Sequence, residues 1–217
     1  MITILVADDH PIIRKGLKQI ISEERDMEVV GEASNGKEVL EKVKKLNPSV
    51  IILDISMPGY SGLYILSQLK SLYPKLPVLM LSALSEQIYA SQSLKAGASG
   101  FVNKESVPEE LVKAIRKVSG GELYIGSVLA EQMAHNLRHD KKSLPHELLS
   151  FREFQVLRLI ASGKQSGEIA KELNISIKTV STYRSRVLEK LDMTNNAELV
   201  NYCYREGLID NFEPTIL

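Results

Sequence analysis

Asp8-Asp9, Asp54, Ser82 and Lys104 each follow or end a short apolar run. The run from Ile2 to Ala7 meets two carboxylates, "VIILD" ends in one, "VLMLS" ends in a hydroxyl, and "GFVNK" ends in an amine. Short, uniformly apolar runs bounded by turn signals are the pattern of strands buried on both faces. Right-handed crossovers make the first and third such strands neighbours, which would bring Asp8, Asp9 and Asp54 together at one end of a sheet. Three carboxylates in one cleft repel each other, and such a group suits a hard cation. Magnesium prefers oxygen ligands and bridges to phosphate oxygens. Carboxylates, a metal, a lysine and a hydroxyl are the parts of phosphoryl transfer. One carboxylate attacks while metal and lysine offset charge on the phosphoryl oxygens. The plainer alternative for each aspartate alone is a turn or helix-cap residue.

The elements that would position these groups alternate in period. Ile13, Leu17, Ile20 and Ile21 recur at helical spacing after the first strand, and Glu28 to Ala33 reads as a second. Val39, Leu40, Val43 and Leu46 mark a helix before Pro48, and Leu63, Leu66 and Leu69 mark another. A further helix is expected from Ser85 to Lys95, and a Ser106–Glu109 capping box is expected ahead of Leu111, Ile115 and Val118. The expectation for residues 1–120 is an α/β domain with a doubly wound, five-stranded parallel sheet. In such folds ligands bind at the carboxyl ends of the strands.

From Gly120 the pattern changes. "GGELYIGS" is a turn-rich break, and residues 121–147 read as a linker that includes a helix over 127–138 and the polar "RHDKKSLPHE". Residues 148–217 read as a small all-α domain of four helices. Ser150 and Glu153 form a capping box, Gly163 ends the first helix, and Ser166 caps the second. "NIS" makes a tight turn, Ser176 opens the third helix, and Asn195 with Glu198 caps a fourth that ends at Gly207.

The chain of 217 residues carries 27 basic and 27 acidic side chains, so no global basicity points to nucleic acid. Its one cysteine, Cys203, excludes an intrachain disulfide and fits a reducing compartment. The apolar runs are strand-sized rather than the roughly 20 residues a membrane helix needs. "MITILVADDH" lacks the flank and cleavage pattern of a signal peptide, so a cytoplasmic protein with no membrane partner is expected.

Helix, tight turn, helix is a DNA-binding arrangement when the second helix is exposed and basic. The last domain is neutral as a whole, but between Lys178 and Lys190 four basic residues (Lys178, Arg184, Arg186, Lys190) meet one acid, Glu189. Phosphate binding needs local rather than global basicity. A solvated helix face is the bland alternative.

Two resemblances sharpen these readings. Asp8-Asp9, Asp54, Ser82 and Lys104, with "DISMPG" and Gly62, resemble the receiver domain of two-component response regulators. That resemblance implies Asp54 as phospho-acceptor, and Mg2+ held by Asp9, Asp54 and the Ser56 carbonyl, with Asp8 acting through water. It further implies Lys104 and Ser82 on the phosphoryl group, and Phe101 as the aromatic that turns inward. Phe101 lacks the hydroxyl of the tyrosine common there, and Glu105 stands where proline is common. A phosphatase of the haloacid dehalogenase type is the rival chemistry, but its second aspartate would fall at Ser56.

"EIAKELNISIKTVSTYRSRVLEKL" resembles the LuxR-type helix-turn-helix, and the whole chain resembles the NarL/FixJ family of transcription regulators. Ser166 and Gly167 depart from the asparagine and basic residue common there. The resemblance implies base contacts from Ser181, Thr182 and Ser185, and phosphate contacts from Lys178, Thr179, Tyr183, Arg184, Arg186 and Lys190. It also implies a homodimer through the fourth helix, with Leu199, Val200, Cys203 and Tyr204 as candidates; ordinary core packing is the alternative that some of them must take, and Cys203 reads as a small packed residue rather than a reactive thiol. A sensor histidine kinase and double-stranded promoter half-sites are the implied partners. No dedicated enzymatic activity is expected beyond the chain's own phosphoryl transfer and dephosphorylation. The functional alternatives are a signalling adaptor whose helical domain binds protein, and a DNA-binding regulator that never becomes phosphorylated.

Overall fold

The computed structural model describes residues 1–57, 61–82, 86–126, 130, 144–173 and 175–209. The chain divides into two compact units, Met1–Asp140 and Lys141–Leu217.

The first unit alternates strand and helix: β1 Ile2–Ala7, α1 Pro11–Ser22, β2 Met27–Ala33, α2 Gly36–Leu46, β3 Val50–Asp54, α3 Gly62–Leu72, β4 Val78–Ser82, α4 Glu86–Lys95, β5 Gly100–Asn103, α5 Val107–Ser119 and β6 Tyr124–Ile125. All strands pair in parallel, in the order β2-β1-β3-β4-β5-β6. The sheet therefore has six strands rather than the expected five. The sixth is only Tyr124–Ile125, paired with Gly100 and Phe101 at the edge. Two residues between turn signals carry no period, so the "GGELYIGS" break concealed it. β3 and β4 are buried at every position. One sheet face packs Ile4, Val6, Ile52, Leu79, Leu81 and Val102 against Leu17 and Ile21 of α1 and Leu111, Ile115 and Val118 of α5.

Local chemistry sets the ends of these elements. Asn35 caps α2 by accepting from the Glu38 amide, while the Glu38 carboxylate accepts from the Ser34 amide and hydroxyl. The expected Ser106–Glu109 box does not form. A 3₁₀ turn over Lys104–Ser106 precedes α5, Asn103 accepts from the Glu105 amide, and the Ser106 hydroxyl turns back to the Asn103 carbonyl. At the start of α3, the Gly62 amide donates to the Ile55 carbonyl at 2.9 Å. A Cβ at Gly62 would lie 2.2 Å from the Asp54 carbonyl oxygen and 2.8 Å from Ile55 Cα, so only glycine lets α3 close against the end of β3.

The second unit holds a 3₁₀ turn at Pro145–Leu148 and helices α6 Phe151–Ala161, α7 Ser166–Glu172, α8 Ile177–Leu191 and α9 Asn196–Arg205. Phe154, Leu157, Ile169, Val180, Val187, Leu199 and Cys203 form its buried centre. Ser150 and Glu153 make the expected capping box on α6, and Gly163 follows that helix at φ +82°. Ser166 is the first residue of α7 rather than its cap: the Gln165 amide donates to the Glu168 carboxylate instead. Ser176 caps α8. The α9 cap repeats that of α2, with Thr194, Asn195 and Glu198 in the places of Ser34, Asn35 and Glu38. The buried His146 ring nitrogen Nδ1 lies 2.7 Å from the Tyr202 hydroxyl, which ties the 3₁₀ turn to α9. The expected helix over 127–138 lies outside the described residues apart from Ala130, and so does Asn174 of the "NIS" turn.

Gly62→Ala lowers the stability of the first unit by at least about 2 kcal/mol in urea denaturation, because backbone atoms must move. Gly16→Ala, at an exposed helical position with open space for a Cβ, raises stability by about 0.5–1 kcal/mol. In the second unit Glu153 is nearly buried. Burial pushes its pKa up, but the Lys190 ammonium and the Ser150 amide outweigh this and hold it below the ordinary 4.5. Its contribution is thus fully present above pH 4.5 and is lost as pH falls through the lower folded value. Glu153→Gln therefore costs on the order of 1 kcal/mol near neutral pH, and the gap from the parent narrows in acid denaturation.

Candidate functional site

The parallel sheet brings the chemically capable residues to one end. β1 and β3 are neighbours, so Asp8, one residue past β1, meets Asp54 at the tip of β3. Both are buried, with side-chain exposures of 0% and 1%. The Lys104 ammonium, carried on the turn after β5, lies 2.7 Å from Asp8 Oδ2 and 3.0 Å from Asp54 Oδ2. Burial pushes the Asp54 carboxyl above its ordinary value, and the Asp8 charge adds to this. Lys104 opposes it. Burial draws Lys104 down, but the Asp54 and Asp8 charges prevail and raise it.

The pocket is short of positive charge. Among the described residues one ammonium, that of Lys104, pairs with Asp8 and Asp54, and the partly exposed Asp9 lies in the same acidic cluster. Among the described residues, buried Asp54 Oδ1 has no hydrogen-bond partner. Single ligand atoms of Asp8, Asp9, His10 and Asp54 lie within 4.8 Å of one another. A buried acceptor without a donor is costly, and clustered carboxylates suit a divalent cation, so these residues fit a hard metal ion.

Ser82, 1% exposed, ends β4 in register with Asn103. Phe101 is turned into the protein at 2% exposure. Among the described residues no peptide bond is cis, so the Lys104–Glu105 bond is trans. Pro58, Gly59 and Tyr60, beyond Asp54, lie outside the described residues.

Sequence reasoning passed over His10. The His10 amide donates to Asp8 Oδ1 at 2.8 Å, and the ring Nδ1 lies 2.8 Å from Asp9 Oδ1. Its position directly after the acidic pair was the available signal.

On α8, Val180, Val187 and Leu191 face the core as expected. Lys178, Ser181, Thr182, Ser185, Arg186 and Lys190 are exposed, while Thr179, Tyr183 and Arg184 are half-buried. The Ser181 and Thr182 hydroxyls donate to the carbonyls of Ile177 and Lys178, which leaves their oxygen lone pairs as outward acceptors. Two of the basic residues are engaged within the unit. Arg184 Nε donates to Asn196 Oδ1 at 2.6 Å, and Lys190 Nζ lies 2.7 Å from Glu153. On α9, Leu199 and Cys203 are fully buried in this unit's core, Val200 is half-buried, and Tyr204 is 62% exposed. Burial pushes the Cys203 thiol up to about 12. Among the described residues no helix is long and apolar enough to cross a membrane.

Comparison with known proteins agrees with this arrangement. Residues 4–116 match the family described as "Response regulator receiver domain", and residues 147–203 match "Bacterial regulatory proteins, luxR family". Response regulator UvrY of Escherichia coli K12 is 35% identical over 209 residues, covering 96% of each chain. Oxygen regulatory protein NreC of Staphylococcus epidermidis is 35% identical over 215 residues, covering 95% of this chain and 99% of its own. A solved structure of RcsB from Salmonella enterica serovar Typhimurium, bound to promoter rprA in the presence of phosphomimetic BeF3−, superposes with a TM-score of 0.66. It is 32% identical and covers 93% of this chain and 97% of its own. With an aspartate-lined pocket on a parallel sheet, a helix-turn-helix unit later in the sequence, and relatives matching across nearly its whole length, the chain belongs to the two-component response regulators of the NarL/FixJ family.

Proposed function

We propose that Asp54 takes a phosphoryl group from a sensor histidine kinase, and that this step controls sequence-specific binding of a homodimer to double-stranded promoter half-sites. The observation that carries this reading is the buried Asp54 carboxylate. It is held by Lys104 through Oδ2 and, among the described residues, has no hydrogen-bond partner at Oδ1. An Asp54 oxygen attacks the phosphorus, the P–O bond forms as the P–N bond of the kinase phosphohistidine breaks, and the electron pair leaves on the imidazole. Lys104 is close enough to follow the new charge from the carboxylate to the phosphoryl oxygens. The Ser82 hydroxyl, at the neighbouring strand end, accompanies it, and Phe101 repacks as Ser82 moves. Asp9, Asp54 and the Ser56 carbonyl would hold Mg2+, with Asp8 acting through water; the bound ion would offset charge on the phosphoryl oxygens. The chain then needs no dedicated enzymatic activity beyond its own phosphorylation and dephosphorylation.

The output would lie in the second unit. RcsB, by its structures, binds promoter DNA and does so as dimers. The same role here places α8 in the major groove, with Ser181, Thr182 and Ser185 toward base edges. Lys178, Thr179, Tyr183, Arg184 and Arg186 would lie toward phosphates. The internal pair with Glu153 makes Lys190 a minor phosphate contact. Of the α9 candidates, Val200 and Tyr204 have surface to offer a second copy, whereas Leu199 and Cys203 serve the core. A kinase-fed, DNA-binding role places the protein in the cytoplasm. It divides the chain into a receiver over 1–120, a linker over 121–147 and a DNA-binding domain over 148–217.

Asp54→Asn keeps the fold by circular dichroism but takes up no phosphoryl group from acetyl phosphate with Mg2+ in a phosphate-affinity gel. Continued uptake would mean another acceptor. Replacing Lys178, Arg184 and Arg186 together by alanine weakens promoter binding at least about tenfold. It also flattens the salt dependence by about one unit of slope for each phosphate no longer neutralised, while Lys190→Ala changes the slope less. Salt-insensitive protein binding without DNA affinity would favour the adaptor reading instead.

A further inference from the structure

His10 occupies a place in the acidic pocket that the proposed role leaves unexplained. Asp8 Oδ1 accepts from the His10 amide at 2.8 Å, which folds the chain after β1 back on itself. That fold brings the ring Nδ1 to 3.2 Å from Asp8 Oδ1 and 2.8 Å from Asp9 Oδ1. An Nδ1–H proton hydrogen-bonded to these carboxylates accounts for such separations, and a cation that displaces the proton meets the same three atoms as donors. Adjacent donors around an octahedral divalent ion, with bonds of about 2.1 Å, are separated by about 3 Å. The His10–Asp9 contact of 2.8 Å is close to that spacing, and the wider set of Asp8, Asp9, His10 and Asp54 atoms spans no more than 4.8 Å. The second observation is independent of His10. Asp54 Oδ1, on a side chain only 1% exposed, lies in the same pocket with no hydrogen-bond partner among the described residues. The His10 ring itself is 63% exposed, so an entering ion reaches it without displacing core packing.

We infer that His10 Nδ1 is a nitrogen donor to the cation of this pocket, and that it extends the site's affinity from magnesium to the divalent ions that prefer imidazole, such as Ni2+ and Zn2+. An all-oxygen pocket suits Mg2+, whereas one imidazole among carboxylates favours the later first-row ions. The inference rests on the reading of Asp9 and Asp54 as cation ligands and deepens it by naming a further ligand and the ions it selects.

The test is calorimetric titration of the full chain with Mg2+ and with Ni2+, for the parent, His10→Ala and Asp9→Asn. A second readout is the nitrogen hyperfine modulation of bound Mn2+ in pulsed electron paramagnetic resonance. With His10 as ligand, His10→Ala weakens Ni2+ binding at least about tenfold, by a larger factor than it weakens Mg2+ binding, and erases the imidazole nitrogen signal. Asp9→Asn weakens both ions. Equal Ni2+ affinity in parent and His10→Ala, or a nitrogen signal that survives that substitution, overturns the role of His10 while leaving the carboxylate pocket intact. Mg2+ binding that is absent from the parent or indifferent to Asp9→Asn overturns the pocket reading, and this inference with it.

Discussion

A single ammonium group shared by two buried carboxylates organises the first unit. Lys104 reaches Asp8 and Asp54 at once, and the three groups come from three different places in the chain. Charges removed from water must be paired, and removing one member leaves the others uncompensated. The parallel sheet serves this requirement. It places the ends of β1, β3 and β5 at one rim and holds them with strands buried on both faces. The pairing is also incomplete in charge: the carboxylates outnumber the ammonium, so the rim has capacity for further positive charge or for a group that redistributes it.

Much of this was legible in the sequence, because strand burial and strand-end chemistry are local signals. "VIILD" announces both a buried strand and a carboxylate at its tip, and the first helix of the second unit announces its start through Ser150 and Glu153. What escaped was set by tertiary context. The edge strand Tyr124–Ile125 is too short to show a period and exists only because β5 offers it an edge. The Ser106–Glu109 pattern lost to a 3₁₀ turn over Lys104–Ser106 that Asn103 caps. Leu199 and Cys203 lie on a helix with apolar residues on more than one side, and spacing alone could not say which side meets the core.

The second unit distributes its cations differently from what a charge count suggests. Lys190 and Arg184 hold the helices together, Lys190 through Glu153 and Arg184 through Asn196, while Lys178 and Arg186 are left outward. The same helix thus divides its basic residues between internal scaffolding and an outward face. The hydroxyls of Ser181 and Thr182 follow the same economy by bonding their own backbone.

The burial of Cys203 has a practical corollary. It is the chain's one cysteine, it lies in the second unit, and its thiol is both inaccessible and pushed up to about 12. Alkylating reagents need a thiolate that solvent can reach, so modification must wait for that unit to open. The rate of thiol labelling is therefore a built-in clock for the opening of the helical unit. A cysteine introduced elsewhere on the surface would accept a fluorophore without competition from the native one.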